Sequence, residues 1–244
     1  MKRLVVNADD FGMSPGVDRG ILECVRAGVV TSVSVLVWDR RPPSIPEELI
    51  GRCGIHLRLT DGPSLAEVEH IPTLLGPGNF FASPAVRCDV RPEPSQVRLE
   101  WELQMEVFKL ACSTPTHADS HHHVHGLAGI DDVYEELVAR EGIAGVGLHP
   151  AQVRRLRASR IRCADYAETR TPEGWQGVQD ALDEAFRHHE TVHFMVHPGY
   201  ADETLAQRSK MVSRRQWELE YLLSPRFQKW LIWGNIDLVG MAQL

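Results

Sequence analysis

The sequence lacks a CxxC pair and carries an odd number of cysteines, five among 244 residues. This usage argues against a disulfide framework or a zinc ribbon and suits reduced thiols. A long apolar run near the start is also missing, because the apolar stretch after Arg3 gives way to polar residues within one short segment. Such a stretch is too short for a signal peptide or a membrane span. We therefore expect a cytoplasmic protein with no membrane partner.

Positive charge is scarce, with a formal net charge of -7 and an isoelectric point near 5.9. Nucleic-acid binding draws most of its affinity from clustered lysine and arginine, so the balance argues against a nucleic-acid partner. The one basic run, Arg154 to Arg162, is typical of a solvated helix face. With 43% hydrophobic and 24% charged residues, the composition is that of an ordinary globular domain.

Short β-branched runs alternate with longer segments of helical spacing, which predicts a parallel sheet whose strands are joined by helices. Eight strand candidates favour a deformed (β/α) TIM-like barrel over an open doubly wound sheet, in one domain spanning residues 1–244. The predicted strands are Arg3–Asn7, Ser32–Val37, Gly54–Leu59, Thr116–Asp119, Gly145–Leu148, Ile161–Cys163, Val192–Val196 and Ile236–Val239. The predicted helices are Pro15–Ala27, Ser95–Cys112, Ile130–Arg140, Trp175–His188 and Arg208–Leu222.

One segment, at about residues 60–94, does not fit this alternation. It is rich in proline and glycine and contains at most one short helix, around Ile71 to Leu75. Long excursions of this kind often form substrate walls or lids.

Two adjacent carboxylates, Asp9 and Asp10, follow the first predicted strand in the segment Asn7–Gly12, NADDFG. By themselves they are more typical of a polar turn than of a catalytic site. The third predicted strand carries His56 and Arg58 in Gly54–Thr60, GIHLRLT, where a lone histidine is more often a satisfied core residue than a ligand.

A denser cluster follows Pro115, where Asp119 is followed by four histidines in five positions. If this segment stays extended, His121, His123 and His125 share one face and His122 lies on the other. Histidine at this density beside a carboxylate is hard to explain by packing and indicates metal ligation.

The segment Val196–Tyr200, VHPGY, again ends an apolar strand with a histidine, His197, and Pro-Gly then turns the chain. In a (β/α) barrel the carboxyl ends of the strands meet at one face, so the four clusters are expected to converge there. Aspartate and histidine without cysteine suit Mg²⁺ or Mn²⁺, or Zn²⁺ in tetrahedral geometry. Such a site fits metal-assisted hydrolysis.

These four motifs together resemble the YdjC-like carbohydrate deacetylase family, which includes chitooligosaccharide deacetylases. The matching segments are Asn7–Gly12, Gly54–Thr60, Pro115–His125 and Val196–Tyr200, in family order along essentially the whole chain. The resemblance implies a deformed (β/α) barrel, often dimeric, that binds one divalent metal ion, usually Mg²⁺. A homodimer is therefore expected.

Carried over to this chain, the resemblance implies that Asp10, His56 and His121 hold the metal. Asp9 would be the general base and His197 the general acid. The residues expected to contact substrate are His123, His125, Arg58 and Tyr200. Aromatic side chains that could stack on sugar rings are Trp38, Phe80, Phe81 and Tyr200, although ordinary packing is the commoner role.

The expected reaction is hydrolysis of the N-acetyl group of an amino sugar or chitooligosaccharide, which yields acetate and a free amine. Two alternatives remain open. One is a metal-dependent hydrolase of another substrate class, since fold and metal do not fix the bond that is cleaved. The other is a catalytically silent sugar-binding protein, against which the spare carboxylate of Asp9 argues.

Overall fold

A curled parallel β-sheet forms the centre of the structure, a computed structural model that describes residues 1–76, 78, 81, 92–170, 172 and 174–244. In the described part of the chain the strand order is β5-β4-β3-β2-β1-β7-β6, and β8 pairs with the first residues of β1. The strands are β1 Lys2–Phe11, β2 Ser32–Leu36, β3 Cys53–Leu57, β4 His117–Ser120, β5 Ala144–Gly145, β6 Tyr166–Glu168, β7 Thr191–Val196 and β8 Ile236–Leu238.

The strands are joined by helices that cover the outside of the sheet, and short 3₁₀ turns lie among the loops. Ser14 caps the first helix by accepting a hydrogen bond from the Val17 backbone N–H, and Pro15 occupies its first turn. The α-helices of the described residues are α1 Pro15–Arg26, α2 Pro94–Ala111, α3 Asp131–Glu141, α4 Pro150–Ala158, α5 Gly174–His188, α6 Glu203–Arg208, α7 Ser213–Leu223 and α8 Pro225–Trp233.

The sheet is a half-barrel rather than a regular barrel, which confirms the predicted deformed (β/α) fold. Its two outer strands, β5 and β6, have two and three residues and do not pair with each other as strands. Between them, the Gly145 N–H donates to the Arg162 carbonyl at 2.9 Å. Every strand pair is parallel, so all the carboxyl ends lie at one rim.

Several boundary predictions were wrong. Strand β1 extends to Phe11, past its expected end at Asn7, and the strand expected at Gly145–Leu148 ends at Gly145. The strand expected at Ile161–Cys163 lies instead at Tyr166–Glu168. The residue before it, Asp165, accepts hydrogen bonds from the Glu190 and Thr191 N–H groups through its side chain, so regular pairing with β7 begins at Tyr166.

The helix expected at Arg208–Leu222 begins only at Ser213, as α7, because Arg208 is the last residue of α6. Helices α4, α6 and α8 were not predicted as elements, although Ser224 followed by Pro225 is a helix-start signal.

The excursion after β3 contains the expected short helix, as a 3₁₀ turn at Pro72–Leu74. Its first residues are fixed by α2, whose buried Glu100 accepts hydrogen bonds from the Leu65 and Ala66 N–H groups. Gln104 of the same helix bonds both backbone groups of Arg58. Residues 77, 79–80 and 82–91 lie outside the described residues.

Arg58 is fully buried and its guanidinium donates to four backbone carbonyls. Nε bonds Val37 at 2.8 Å, Nη1 bonds Asp61 at 2.7 Å, and Nη2 bonds Trp38 at 3.0 Å and Pro63 at 2.7 Å. Burial lowers the pKa of Arg58 to about 10, which still leaves it charged at neutral pH. This side chain therefore ties the end of β2 to the start of the excursion.

Among the helices of the described residues, none has the length and apolar character needed to cross a membrane.

Replacing Arg58 by methionine should lower the free energy of unfolding by about 3 kcal/mol or more, because buried carbonyl groups lose their donors at about 1–3 kcal/mol each. Urea denaturation measures the change. Arg52→Met is the matched control, because Arg52 is exposed and lies just before β3, whereas Arg58 lies just after it. The stability of this variant should stay within about 0.5 kcal/mol of that of the unmodified protein. Wild-type stability together with lost turnover would instead make Arg58 a substrate contact.

Candidate active site

The four clusters predicted from the sequence do converge at one rim of the half-barrel. Asp9 and Asp10 come from β1, His56 from β3, His121 from the turn after β4, and His197 from the end of β7. They surround a cavity of about 240 Å³. Its wall is completed by Ser120, His122, His123, Thr169, Met195, Ser209, Met211 and Arg215.

A bulge in β1 brings both adjacent carboxylates to this cavity. The register between β1 and β2 shifts between Ala8 and Phe11, and Asp10 adopts a left-handed backbone conformation with φ of 70°. Neighbouring side chains on a regular strand point to opposite faces, whereas a bulge re-aims them. The Trp38 indole N–H bonds the Gly12 carbonyl at 2.8 Å and secures the turn that follows.

The histidine run turns immediately after β4 instead of staying extended. His122 and His123 have φ values of 56° and 55°, inside a 3₁₀ segment at His121–Gly126. This geometry separates the run: His121 faces Asp10, whereas Nδ1 of His122 lies 2.8 Å from the Thr60 hydroxyl. The alternation expected for an extended segment therefore does not apply here.

Asp10, His56 and His121 present three ligand atoms that all lie within 4.8 Å of one another. The Asp10 Oδ1 atom lies 2.9 Å from His121 Nδ1 and 3.4 Å from His56 Nε2. It is buried and has no hydrogen-bond partner within the described residues. Two imidazole nitrogens and a buried carboxylate oxygen that accepts no hydrogen bond from the described part of the chain form a set of ligand atoms that fits a divalent cation.

His56 is oriented from behind by a second carboxylate, Asp119. The His56 Nδ1 atom lies 2.6 Å from Asp119 Oδ1, which leaves Nε2 facing Asp10. Asp119 also accepts a hydrogen bond from the Ser34 hydroxyl at 2.7 Å. Burial alone would lower the pKa of His56, but Asp119 and Asp9 outweigh it and raise that pKa well above its ordinary value. A carboxylate behind a histidine in this way fixes the ring for metal binding.

Asp9 is a second buried carboxylate, and its nearest basic group is farther away than that of Asp10. Asn7 donates to its Oδ1 at 2.7 Å, and its Oδ2 lies 3.9 Å from His56 Nε2. Burial, and then the charge of Asp119, raise the pKa of Asp9 well above the usual range. A carboxylate with a raised pKa is a stronger base than a solvated one.

Arg215, on α7, is a site residue that the sequence reasoning missed. Its Nη2 donates to Asp10 Oδ2 at 2.5 Å, and its Nε donates to the Met211 carbonyl at 3.1 Å. Burial alone would raise the pKa of Asp10, but His121 and Arg215 outweigh it and hold that pKa well below the ordinary value. Because 205 residues separate Asp10 from Arg215, no local pattern reveals the pair.

His197 is fixed mainly through its backbone. Its N–H donates to Glu218 Oε2 at 2.5 Å, and Arg214 donates to the other oxygen of Glu218 at 2.9 Å. Burial lowers the pKa of the His197 ring to about 3, so the ring is neutral at neutral pH. Glu218 was also missed, although its spacing of four residues from Arg214 on a helix is a recognisable pair.

Of the four residues expected to contact substrate, the structure brings one to the cavity wall, His123. The His125 ring is buried, with Nδ1 2.5 Å from the Ser120 hydroxyl. Arg58 uses its donors on backbone carbonyls, as described above. The Tyr200 hydroxyl bonds Glu23 at 2.6 Å, and Arg19 covers its ring, outside the cavity wall.

The expected stacking aromatics are also occupied by protein groups. The Trp38 ring is contacted by the guanidinium groups of Arg58 and Arg208, at 4.8 and 5.0 Å from the ring centroid. Phe81 is buried and packs against Arg58. Phe80 lies outside the described residues.

Fold and site together define an α/β half-barrel protein with a candidate metal centre at the carboxyl ends of its parallel strands. Comparison with known proteins gives the family. The chain belongs to the YdjC-like family, since the family model described as YdjC-like protein matches residues 3–232.

Several relatives are named carbohydrate deacetylase. The protein of Halalkalibacterium halodurans is 32% identical over 235 residues, covering 90% of this chain and 94% of the relative. That of Geobacillus stearothermophilus is 33% identical over 229 residues, covering 91% and 89%. The human protein is 41% identical over 152 residues, covering 58% of this chain and 46% of its own length.

Two solved structures share the fold. A crystal structure from Enterococcus faecalis V583, described as a candidate cellobiose-phosphate cleavage protein, has a TM-score of 0.86 at 23% identity and covers 99% of this chain and 98% of its own. A Streptococcus mutans CE4 esterase has a TM-score of 0.50 at 14% identity, covering 98% and 86%. At these identities the likeness concerns the fold alone.

Arg215→Met should destabilise the protein by about 3–5 kcal/mol at neutral pH with a chelator present, because Asp10 keeps a buried charge without its partner. A carboxyl group with a lowered folded-state pKa contributes stability above its unfolded pKa and loses it as the pH falls. The deficit should therefore shrink towards and below about pH 4. Urea denaturation across this range measures it, with the exposed Arg154→Met as control. An equal deficit at every pH would exclude the charge pair as the cause.

Proposed function

We propose that this protein is a metal-dependent carbohydrate deacetylase that hydrolyses the N-acetyl group of an amino sugar or chitooligosaccharide and releases acetate. The observation that carries the proposal is the spare carboxylate of Asp9 beside the Asp10, His56 and His121 cluster. A protein that only binds needs the cluster, whereas a hydrolase also needs a base next to it. The YdjC-like family and the relatives named carbohydrate deacetylase support the choice of reaction.

The roles of the residues follow from their surroundings. A divalent cation held by Asp10, His56 and His121 would polarise the acyl carbonyl group and acidify water. Asp9 accepts the proton of the attacking water, since burial and the charge of Asp119 make its ionised form a stronger base than a solvated carboxylate. Arg215 keeps Asp10 ionised, and Asp119 keeps the His56 ring oriented.

His197 begins the reaction as a neutral ring, because burial lowers its pKa to about 3. The negative charge that develops on the acyl oxygen raises the proton affinity of a nearby imidazole. His197 therefore takes up the proton that Asp9 accepted from the attacking water as the tetrahedral intermediate forms, and delivers it to the departing amine. This order of events makes His197 an acid late in the reaction.

The size of the cavity restricts what can enter it. At about 240 Å³ it is below the range of roughly 300–1,000 Å³ that is usual for whole small-molecule sites. The acyl end of one sugar residue fits this volume, whereas the remainder of an oligosaccharide stays outside. Of the expected substrate contacts, His123 is the one on the cavity wall.

The identity of the metal stays a prediction. The family resemblance suggests Mg²⁺, with Mn²⁺ and Zn²⁺ as the other candidates; Mg²⁺ and Mn²⁺ suit oxygen ligands, whereas two imidazole nitrogens favour Zn²⁺. A homodimer and a cytoplasmic location also stay predictions. A hydrolase of another substrate class and a silent sugar-binding protein are the alternatives.

The decisive experiment measures acetate release from N-acetylated mono-, di- and oligosaccharides with Mg²⁺, Mn²⁺, Zn²⁺ or Co²⁺. We expect release with at least one metal, and a turnover lower by about 10²-fold or more in Asp9→Asn, which keeps the size of the side chain but not its basicity. Sugar affinity should persist in that variant. Binding without release by the unmodified protein would favour the silent binder, and release at normal rates by Asp9→Asn would exclude Asp9 as base.

His56→Ala and His197→Ala should differ in metal content. We expect the first to lose both metal and activity, since His56 supplies one of three ligands. The second should keep the metal and lose activity. Elemental analysis of the purified variants, with the exposed His70→Ala as control, distinguishes them. Loss of metal from His197→Ala would make His197 a ligand.

A further inference from the structure

Each of the two candidate imidazole ligands has a carboxylate near its second ring nitrogen. His56 directs Nε2 towards Asp10 and has Asp119 at Nδ1, 2.6 Å away. His121 directs Nδ1 towards Asp10, and its Nε2 lies 3.7 Å from Oδ2 of Asp61. The Asp61 contact is longer and more exposed, with 43% of the side-chain surface accessible.

We propose that Asp61, at the start of the excursion after β3, is a positioning residue for His121 and thereby strengthens metal binding. The inference rests on the proposed metal role of His121. A neutral imidazole carries one proton, and Asp10 attracts that proton to Nδ1, the nitrogen needed for the metal. Asp61 attracts the proton to Nε2 instead and so frees the Nδ1 lone pair.

The backbone around Asp61 is built to present this carboxylate. Asp61 has φ of 58°, a left-handed conformation that aspartate tolerates better than most residues. Its carbonyl accepts the 2.7 Å hydrogen bond from Arg58 Nη1, which holds the turn in place. Arg58 lies two residues after His56, so a single segment supplies one ligand and fixes the carboxylate behind the other.

The same residues could instead form a second cation site, because ligand atoms of Asp61, His121 and His122 lie within 4.8 Å of one another. Two observations argue against this site. Nδ1 of His122 lies 2.8 Å from the Thr60 hydroxyl. His121 would also have to bind a cation through each nitrogen, which requires loss of its last ring proton. If Asp61 only orients His121, then His122 can keep its contact with Thr60 and His121 can keep its ring proton.

Two substitutions distinguish the effect of the Asp61 carboxylate from the effect of its backbone conformation. Asp61→Gly keeps the left-handed conformation and removes the acceptor, whereas Asp61→Asn keeps a neutral acceptor. Calorimetric titration with Zn²⁺ and with Mn²⁺ should show metal affinity weaker by about 10- to 100-fold in Asp61→Gly and by less in Asp61→Asn. Asp39→Asn removes a nearby exposed carboxylate that pairs with Arg41 and is the charge-matched control.

The second readout is the proton position on His121 in metal-free protein, measured by ¹H–¹⁵N correlation at a pH where the ring is neutral and assigned with His121→Ala. We expect Asp61→Gly to move the proton from Nε2 towards Nδ1. Unchanged affinity and an unchanged proton position would overturn the inference. So would two metal ions per unmodified chain that fall to one in Asp61→Gly. These outcomes do not depend on acetate release, so failure of the deacetylase proposal is seen separately.

Discussion

The buried carboxylate of Asp10 is the group on which the site depends. One of its oxygens is bonded to Arg215, and the other faces two imidazole nitrogens without a hydrogen bond of its own. Asp9 and Asp119 add two further buried carboxylates, and Arg215 supplies a permanent positive charge beside them. Negative charge thus exceeds permanent positive charge in a region shielded from water. A divalent cation would offset this excess; without one, burial and the charge of Asp119 raise the pKa of Asp9, and Asp119 and Asp9 raise that of His56.

Around this concentration of charge, the scaffold holds several residues in backbone conformations that are energetically unfavourable for residues other than glycine. Asp10, Asp61, His122 and His123 all adopt positive φ around the site. Such conformations persist where surrounding contacts determine them, and they cluster at functional sites. Here those contacts include the bulge in β1, the buried Arg58 guanidinium and the hydroxyl of Thr60. The rim therefore sets the positions of the candidate ligands, and the start of the long excursion places Asp61 beside His121.

The sequence predicted the parts of the site that are local. Strand ends followed by acidic or histidine clusters are visible within a few residues, so convergence of Asp10, His56, His121 and His197 followed from the parallel fold. The supporting groups could not be predicted, because Arg215 lies on a helix far along the chain from Asp10. Arg58 was predicted to contact substrate, because periodicity does not distinguish a buried arginine that binds backbone carbonyls from one that binds substrate. The bulge and the turn within the histidine run depend on tertiary packing, which no pattern encodes.

The pKa values of Asp9 and His197 are shifted in opposite directions, and together they set the order of proton transfers in the proposed reaction. Burial and neighbouring carboxylates raise the pKa of Asp9, whereas burial lowers that of His197 to about 3. Without a metal ion the raised pKa of Asp9 favours its protonated form and the His197 ring is neutral, so the site lacks both an ionised base and a charged acid. Amide hydrolysis needs both, because an amine leaves only when it is protonated. A divalent charge at Asp10 would lower the pKa of Asp9, and the oxyanion would raise that of His197. Each group would thus reach its working state only when metal and substrate are both in place.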